Sequence, residues 1–316
     1  QNPPAQAKPH TWWHWMNGNI SREGITADLT AMKEIGLAGA QIFNVSESIP
    51  LGPAPFMSPQ WRELFVHAVK EADRLGLELC VHNCAGWSSS GGPWITPDHA
   101  MQMVVTAEAV VEGPRHFEAI LKPETRHNFY RDIAVLAFPK PADDTIRIKD
   151  IRAKAGYDYR YDQHPVLDDY PGDAIVKRSA IIDLTKNLAP DGSISWDAPA
   201  GSWIVMRIGY TPTGAVNAPS PDAGRGLECD KLSREALDAH WDNAIAPLIQ
   251  DLGPLAGKTL STVLVDSYEV GGQNWTPRFR DEFTRRRGYD PLLYLPIITG
   301  QEIQVRCIYR INCCKN

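Results

Sequence analysis

Apolar residues along the chain follow two rhythms, and the first is helical alternating with extended. Residues 11–20 read as an aromatic-heavy strand that ends in a polar turn. Ile25, Leu29, Met32 and Ile35 then fall at helical spacing, with Ser21 as N-cap and Gly36 as the stop. Residues 37–44 form a second short apolar strand finishing on Asn44, and a Pro-rich loop over 49–59 follows. A helix is predicted over about 59–75, with Leu64, Val69 and Ala72 on its inner side. Residues 77–81 make a third strand, finishing at His82 and Asn83 before a Gly/Ser loop that holds Trp87 and Trp94. Strands and helices alternating in this way predict βα units around a parallel sheet.

Near Met101 the rhythm changes. Between 104 and 213 short strands alternate with turns, for example at 133–138, 146–148, 180–184 and 202–210. The turns are rich in Pro, Asp and Gly, as in Ala189-Pro190-Asp191-Gly192 and Ala198-Pro199-Ala200-Gly201. This predicts an all-β sandwich inserted into the α/β domain, with Trp196 and Trp203 in its core. Residues 226–233 look like the next strand end of the α/β part, and Ser233 caps a helix to about 252. Residues 262–265, Thr-Val-Leu-Val, are a buried strand, and a basic helix with Arg278, Arg280, Arg285, Arg286 and Arg287 presents a solvated face after it.

The expected layout is a tail at 1–9, a first barrel part at 10–103, a β-sandwich at 104–213, the barrel continued at 214–303, and an atypical tail at 304–316. About five strand–helix units can be counted where a closed barrel needs eight. The fold class is therefore α/β, a partial (β/α)8 TIM-type barrel interrupted by an inserted all-β sandwich domain. It is expected to stop part-way and to carry an unrelated tail. The uncovered sheet edge of such a fragment would favour dimerisation or poor solubility.

Composition narrows the partners. A hydrophobic fraction of 43% and a charged fraction of 22% are ordinary for a globular protein. The formal charge of -6, without a basic run, argues against nucleic acid. No apolar window is long enough for a membrane span. The start at Gln1 fits a mature secreted or periplasmic protein, and a cropped chain equally well. Cys80, Cys84 and Cys229 fit no zinc spacing and suggest no disulfide framework, whereas Cys307, Cys313 and Cys314 crowd the end.

Every inferred strand of the α/β part ends on polar groups: His14 and Asn17, Asn44, His82 and Asn83, Glu228 and Asp230, Asp266 and Glu269. In adjacent parallel strands these ends gather at one mouth. Trp13, Trp87, Gln273, Asn274 and Trp275 complete the set of expected sugar contacts. Amides and carboxylates pair with hydroxyls, and indole rings pack against the C–H face of a pyranose. Carboxylates also supply the acid and base that glycoside cleavage needs. Other chemistries lack their motifs. Ser88-Ser89-Ser90-Gly91-Gly92 has no lysine for a phosphate, and no dinucleotide fingerprint or nucleophile elbow is present. The plain structural alternatives are a helix cap for Asp266 and a surface salt bridge of Glu228 or Asp230 with Lys231 or Arg234.

Three stretches carry a family resemblance: Trp12-Trp13-His14-Trp15-Met16-Asn17-Gly18-Asn19-Ile20, Gly226-Leu227-Glu228-Cys229-Asp230-Lys231, and Asp266-Ser267-Tyr268-Glu269-Val270-Gly271-Gly272-Gln273-Asn274-Trp275-Thr276. The chain resembles glycoside hydrolase family 106, the α-L-rhamnosidases, from about residue 10 to 300. The resemblance implies a (β/α)8 barrel interrupted by β domains, and an inverting, calcium-dependent release of terminal L-rhamnose. It implies Glu269 as a proton-transfer residue, with Asp266 as its partner, a sugar-hydroxyl ligand or a calcium neighbour. Ca2+ rests on the resemblance alone, with Glu228 and Asp230 as its candidate ligands. The opposing acid of an inverting pair would come from later strands, so the chain is expected to keep a sugar subsite with little turnover. The rivals are a β-galactosidase-like glycosidase on the same barrel plan and a non-catalytic carbohydrate-binding fragment.

Overall fold

A computed structural model describes residues 3–4, 7–88, 90–158 and 170–304. Of the expected tail, all but Gln304 lies outside the described residues, including Cys307, Cys313 and Cys314. In chain order the elements are β1 (His10–Met16), α1 (Arg22–Glu34), β2 (Gly39–Val45), α2 (Pro59–Leu75), β3 (Glu78–His82), β4 (Gly91–Gly92), β5 (Gln102–Ile120) and β6 (Arg131–Pro139). They continue with α3 (Ile151–Lys154), β7 (Ile175–Val176), β8 (Ile182–Asp183), β9 (Ser193–Pro212) and β10 (Leu227–Glu228). The last are α4 (Arg234–Ala244), α5 (Ala246–Leu252), β11 (Leu260–Leu264), α6 (Phe279–Arg287) and β12 (Glu302–Ile303). No helix among the described residues is long and apolar enough to cross a membrane.

Two compact units result. One joins Gln1–Met101 to Gly214–Val270, and the other joins Gln102–Thr213 to Gly271–Asn316. The stretch from Gly271 onward, read from sequence as continued α/β, groups with the β unit instead. Its apolar side chains explain this: Trp275, Leu292, Leu295 and Ile303 are buried in a cluster with Val104, Leu136, Phe138, Ile204 and Met206.

The first unit is a parallel sheet ordered β1-β2-β3-β11. Its registers pair Met16 with Val45 and His82 with Leu264, so the four strands run out near a common line. One face carries Trp13, Trp15, Ala40, Ile42, Leu79, Val81 and Leu260 against Ile25 and Leu29 of α1, Trp61, Phe65 and Val69 of α2, and Leu248 and Leu252 of α5. The helices start where local chemistry directs. Ser21 accepts the Gly24 N–H, and Ser58 accepts the Trp61 N–H ahead of Pro59. Gly76 closes α2 at φ 64°, a left-handed value that suits glycine.

Two expectations change here. The segment around Glu228 is not a strand of the parallel sheet, because β10 pairs antiparallel with β4. The helix expected over 233–252 is two helices, α4 and α5, broken at Ile245 where Pro247 supplies no backbone donor.

The second unit contains a four-stranded sheet ordered β5-β9-β6-β8, antiparallel at each pairing. Alternate residues of β6 face opposite ways: Leu136 and Phe138 enter one cluster, Val135 and Ala137 the other. The first cluster is covered by the 3₁₀ segment Leu292–Thr299 and Trp275, so a helical turn supplies that layer. Trp196 and Trp203 meet edge-to-face at 5.4 Å and pack against the second cluster. Residues 146–148 form no strand. On α6 three of the basic residues are paired: Glu282 accepts from Arg285 and Arg286, and Arg280 binds Asp290.

Candidate functional site

The sheet of the first unit has a second face, opposite the helices. Trp12, His14, Phe43 and His82 line it, with ring centroids 5.2 Å apart for Trp12–Phe43, 5.6 Å for His14–Phe43 and 5.1 Å for Phe43–His82. Trp87 reaches His14 edge-on at 6.5 Å. Trp12 is 57% exposed, and His14 is exposed beside it. His82, at one end of this row of rings, lies at the end of β3, beside the turn that follows β11.

Asp266 and Glu269 follow β11 and are both exposed. Their turn is tied down at four places. The Asp266 N–H donates to His82 Nε2 at 3.3 Å, and Ser267 forms a parallel bridge with Ser88. Ser267 Oγ donates to Glu269 Oε1 at 2.6 Å. The Lys231 ammonium sits 5.7 Å from the centre of the Tyr268 ring, within cation–π range. An exposed carboxylate on a turn fixed by its backbone is suited to proton transfer at a bound sugar.

Behind the turn lies a buried polar cluster. Glu228 is fully buried, and its carboxylate accepts from Ser88 Oγ (2.8 Å), the Ser90 N–H (3.0 Å) and Lys231 Nζ (2.7 Å). Ser88 Oγ in turn accepts the Ala218 N–H at 2.8 Å. Asp230, also fully buried, accepts the Leu232 N–H at 2.9 Å. Glu228 does not fit a calcium site, because an ammonium ion already stands where a cation would bind it. Among the described residues no three His, Cys, Asp or Glu side chains are grouped as metal ligands. Glu228 does form the Lys231 salt bridge considered from sequence, but in the interior instead of on the surface.

Several expected sugar contacts face elsewhere. Trp13 lies on the helix side of β1, its indole N–H donating to Asp28 at 3.0 Å. Asn44 is also on that side and accepts from Trp61 Nε1 at 2.9 Å. Asn17 adopts φ 48°, forms the turn after β1 and donates to the Ile49 carbonyl at 2.6 Å. Asn83 donates to Ser90 Oγ at 3.1 Å, and its backbone carbonyl binds His240 Nε2 at 2.9 Å. His82 is 3% exposed, with both ring nitrogens engaged within the protein. In the second unit Asn274 accepts the Val104 N–H and donates to the Ala155 carbonyl, Gln273 donates to the Trp275 carbonyl, and Trp275 is core. His14 and Trp87 remain on the aromatic face. Ser88, Ser90, Tyr268 and His240 are not site residues in the sequence reading, and Lys231 enters it only as a salt-bridge partner. The one available signal was Lys231, three residues after Glu228.

Burial sets the charge of the two histidines. His240 accepts from Trp94 Nε1 through Nδ1 and donates through Nε2, and burial pushes its pKa down to about 4. Burial likewise lowers that of His82. Unfolded histidine takes up a proton near pH 6.5, so between pH 6.5 and about 4 the unfolded chain binds more protons than the folded one. Stability is full above pH 6.5 and falls as pH drops through that window, by about 3 kcal/mol for His240 at ~1.4 kcal/mol per unit. Urea melts at pH 7.5 and 4.5 check this. His240→Gln should flatten the difference, and an equal slope in that variant would contradict the assignment.

Comparison with known proteins bears on the family and the fold. The sequence profile described as alpha-L-rhamnosidase, glycoside hydrolase family 106, matches residues 1–308. The chain belongs to this family. A protein of Formosa agariphila carrying the provisional name beta-glucuronidase is 47% identical over 306 residues, 96% of this chain and 26% of its own length. The solved rhamnosidase of Novosphingobium sp. PP1Y superposes with a TM-score of 0.81 at 26% identity, over 96% of this chain and 42% of that one. The chain thus spans about a quarter of the first family relative and under half of the second. Its mixed α/β fold is that of the rhamnosidase.

Proposed function

We propose that the chain carries part of the active site of a glycoside hydrolase that removes terminal α-L-rhamnose from glycosides or polysaccharides with inversion. Its parallel sheet is one side of a (β/α)8 barrel, and it acts in the periplasm or outside the cell. Glu269 moves the proton at the glycosidic oxygen or the attacking water, and Asp266 orients a sugar hydroxyl. Rhamnose lies against the aromatic face, with His14 and Trp87 at its edge. The observation that carries this reading is the turn bearing Asp266 and Glu269, anchored through His82 and Ser88 at the end of a parallel strand. The opposing carboxylate of an inverting pair stands roughly 6.5–9.5 Å away, with a water between.

A second reading has one observation in its favour, the β-glucuronidase name of the Formosa relative. Aryl α-L-rhamnoside and aryl β-D-glucuronide, offered in parallel, separate the two. Rhamnoside is expected to be cleaved slowly, with β-L-rhamnose as the first anomer seen by NMR. Turnover of the glucuronide alone would replace the rhamnosidase reading, and α-L-rhamnose as first product would replace inversion by retention. A rate close to that of the Novosphingobium enzyme would set aside the expectation of a sluggish chain.

A further inference from the structure

His82 touches no open surface, yet it sits where the acid-bearing turn leaves the sheet. The β3–β11 ladder ends with His82 opposite Leu264, and the Asn83 N–H donates to the Leu264 carbonyl at 2.9 Å. Two residues later the Asp266 N–H points back, and His82 Nε2 receives it at 3.3 Å. For that nitrogen to accept, the ring proton must be on Nδ1, where the Cys84 carbonyl lies at 3.0 Å; the Cys84 N–H also approaches Nδ1, at 3.3 Å, and in this tautomer the shorter contact to the carbonyl is the hydrogen bond that forms. Phe43 stacks on the ring with 29° between planes and holds it in place. From Asp266 the path to Glu269 is short: the next residue, Ser267, bridges to Ser88 and donates to the Glu269 carboxylate.

We propose that His82 is a positioning residue, its neutral Nδ1–H tautomer fixing the turn 266–269 so that Glu269 faces the reacting sugar. This inference rests on the assignment of Glu269 as the proton-transfer group. Nδ1 meets the backbone of Cys84 and Nε2 holds the backbone amide of Asp266, so the ring works as a rigid spacer between the loop after β3 and the turn after β11. Its role passes through Glu269, and it meets neither substrate nor reacting atom.

The two ring nitrogens can be tested apart. Glutamine places an oxygen near the Nε2 position, and asparagine places a donor near Nδ1. His82→Gln is expected to keep kcat on aryl α-L-rhamnoside within about threefold, whereas His82→Asn and His82→Phe lower it about 10- to 100-fold, the scale of a catalytic group misplaced by roughly 1 Å. KM should stay within about twofold in all three, because sugar contacts are not removed. Equal losses in the Gln and Asn variants, or a rise in KM with kcat unchanged, would overturn the proposal. A second measurement needs no turnover. In the intact protein labelled with 15N, the His82 ring should show a protonated Nδ1 and a coupling from Nε2 to the Asp266 amide nitrogen. A proton on Nε2, or no coupling, would overturn the proposal even in an active enzyme. Absence of any rhamnoside turnover with that coupling present would instead count against the catalytic reading and leave the tie between His82 and Asp266 standing.

Discussion

Glu269→Gln is expected to lower kcat/KM on an aryl α-L-rhamnoside by about 10²- to 10⁴-fold, the usual weight of a positioned proton-transfer group. The amide keeps the shape and still accepts from Ser267 Oγ, so fold and sugar binding should persist. Thermal melting and rhamnose binding should therefore match the parent while turnover is lost. Ser267→Ala removes only the 2.6 Å hydrogen bond and should cost far less. Parent-like turnover in Glu269→Gln would move the proton-transfer role to another carboxylate.

The second large effect concerns stability. Lys231→Met should destabilise the protein by about 3–5 kcal/mol, the range for stripping a buried charge of its partner. Glu228 has no exposure through which water could replace the lysine, and Ser88 and the Ser90 N–H offset only part of the loss. The double variant Glu228→Gln/Lys231→Met should recover much of the deficit, because the remaining amide is neutral. Urea denaturation of both single variants and the double gives the coupling directly. Additive losses would mean that the pair does not act as a unit.

Periodicity made much of the first unit legible. Ser21, Ser58 and Gly76 are caps whose chemistry is local, so α1 and α2 could be read residue by residue. The parallel strands followed from their short apolar runs between those helices. What could not be read was which side chain faces which way. In Trp12-Trp13-His14-Trp15 both faces of the strand are aromatic, so the alternation that usually separates core from solvent is hidden. Trp13 and Trp15 point to the helices, Trp12 and His14 away from them. Nor could a two-residue strand such as β10 show a period, which is why Glu228 was assigned to the wrong sheet. The acid turn itself was visible in sequence. Its anchors, His82, Ser88 and Lys231, come from segments up to about 180 residues away, so although His82 and Lys231 stood out in the sequence, nothing local tied them to this turn.

The pairing of β3 with β11 has a consequence for biosynthesis. About 180 residues separate His82 from Leu260, and the whole first part of the β unit is translated between them. At roughly 5–20 residues per second, the ribosome leaves the outer side of β3 without its partner for about 10–35 s. Its bare N–H and C=O groups are then open to pairing with another nascent chain on the same message. In the cell, the yield of this protein should therefore depend on how quickly a chaperone covers that one strand, more than on the stability of the finished fold.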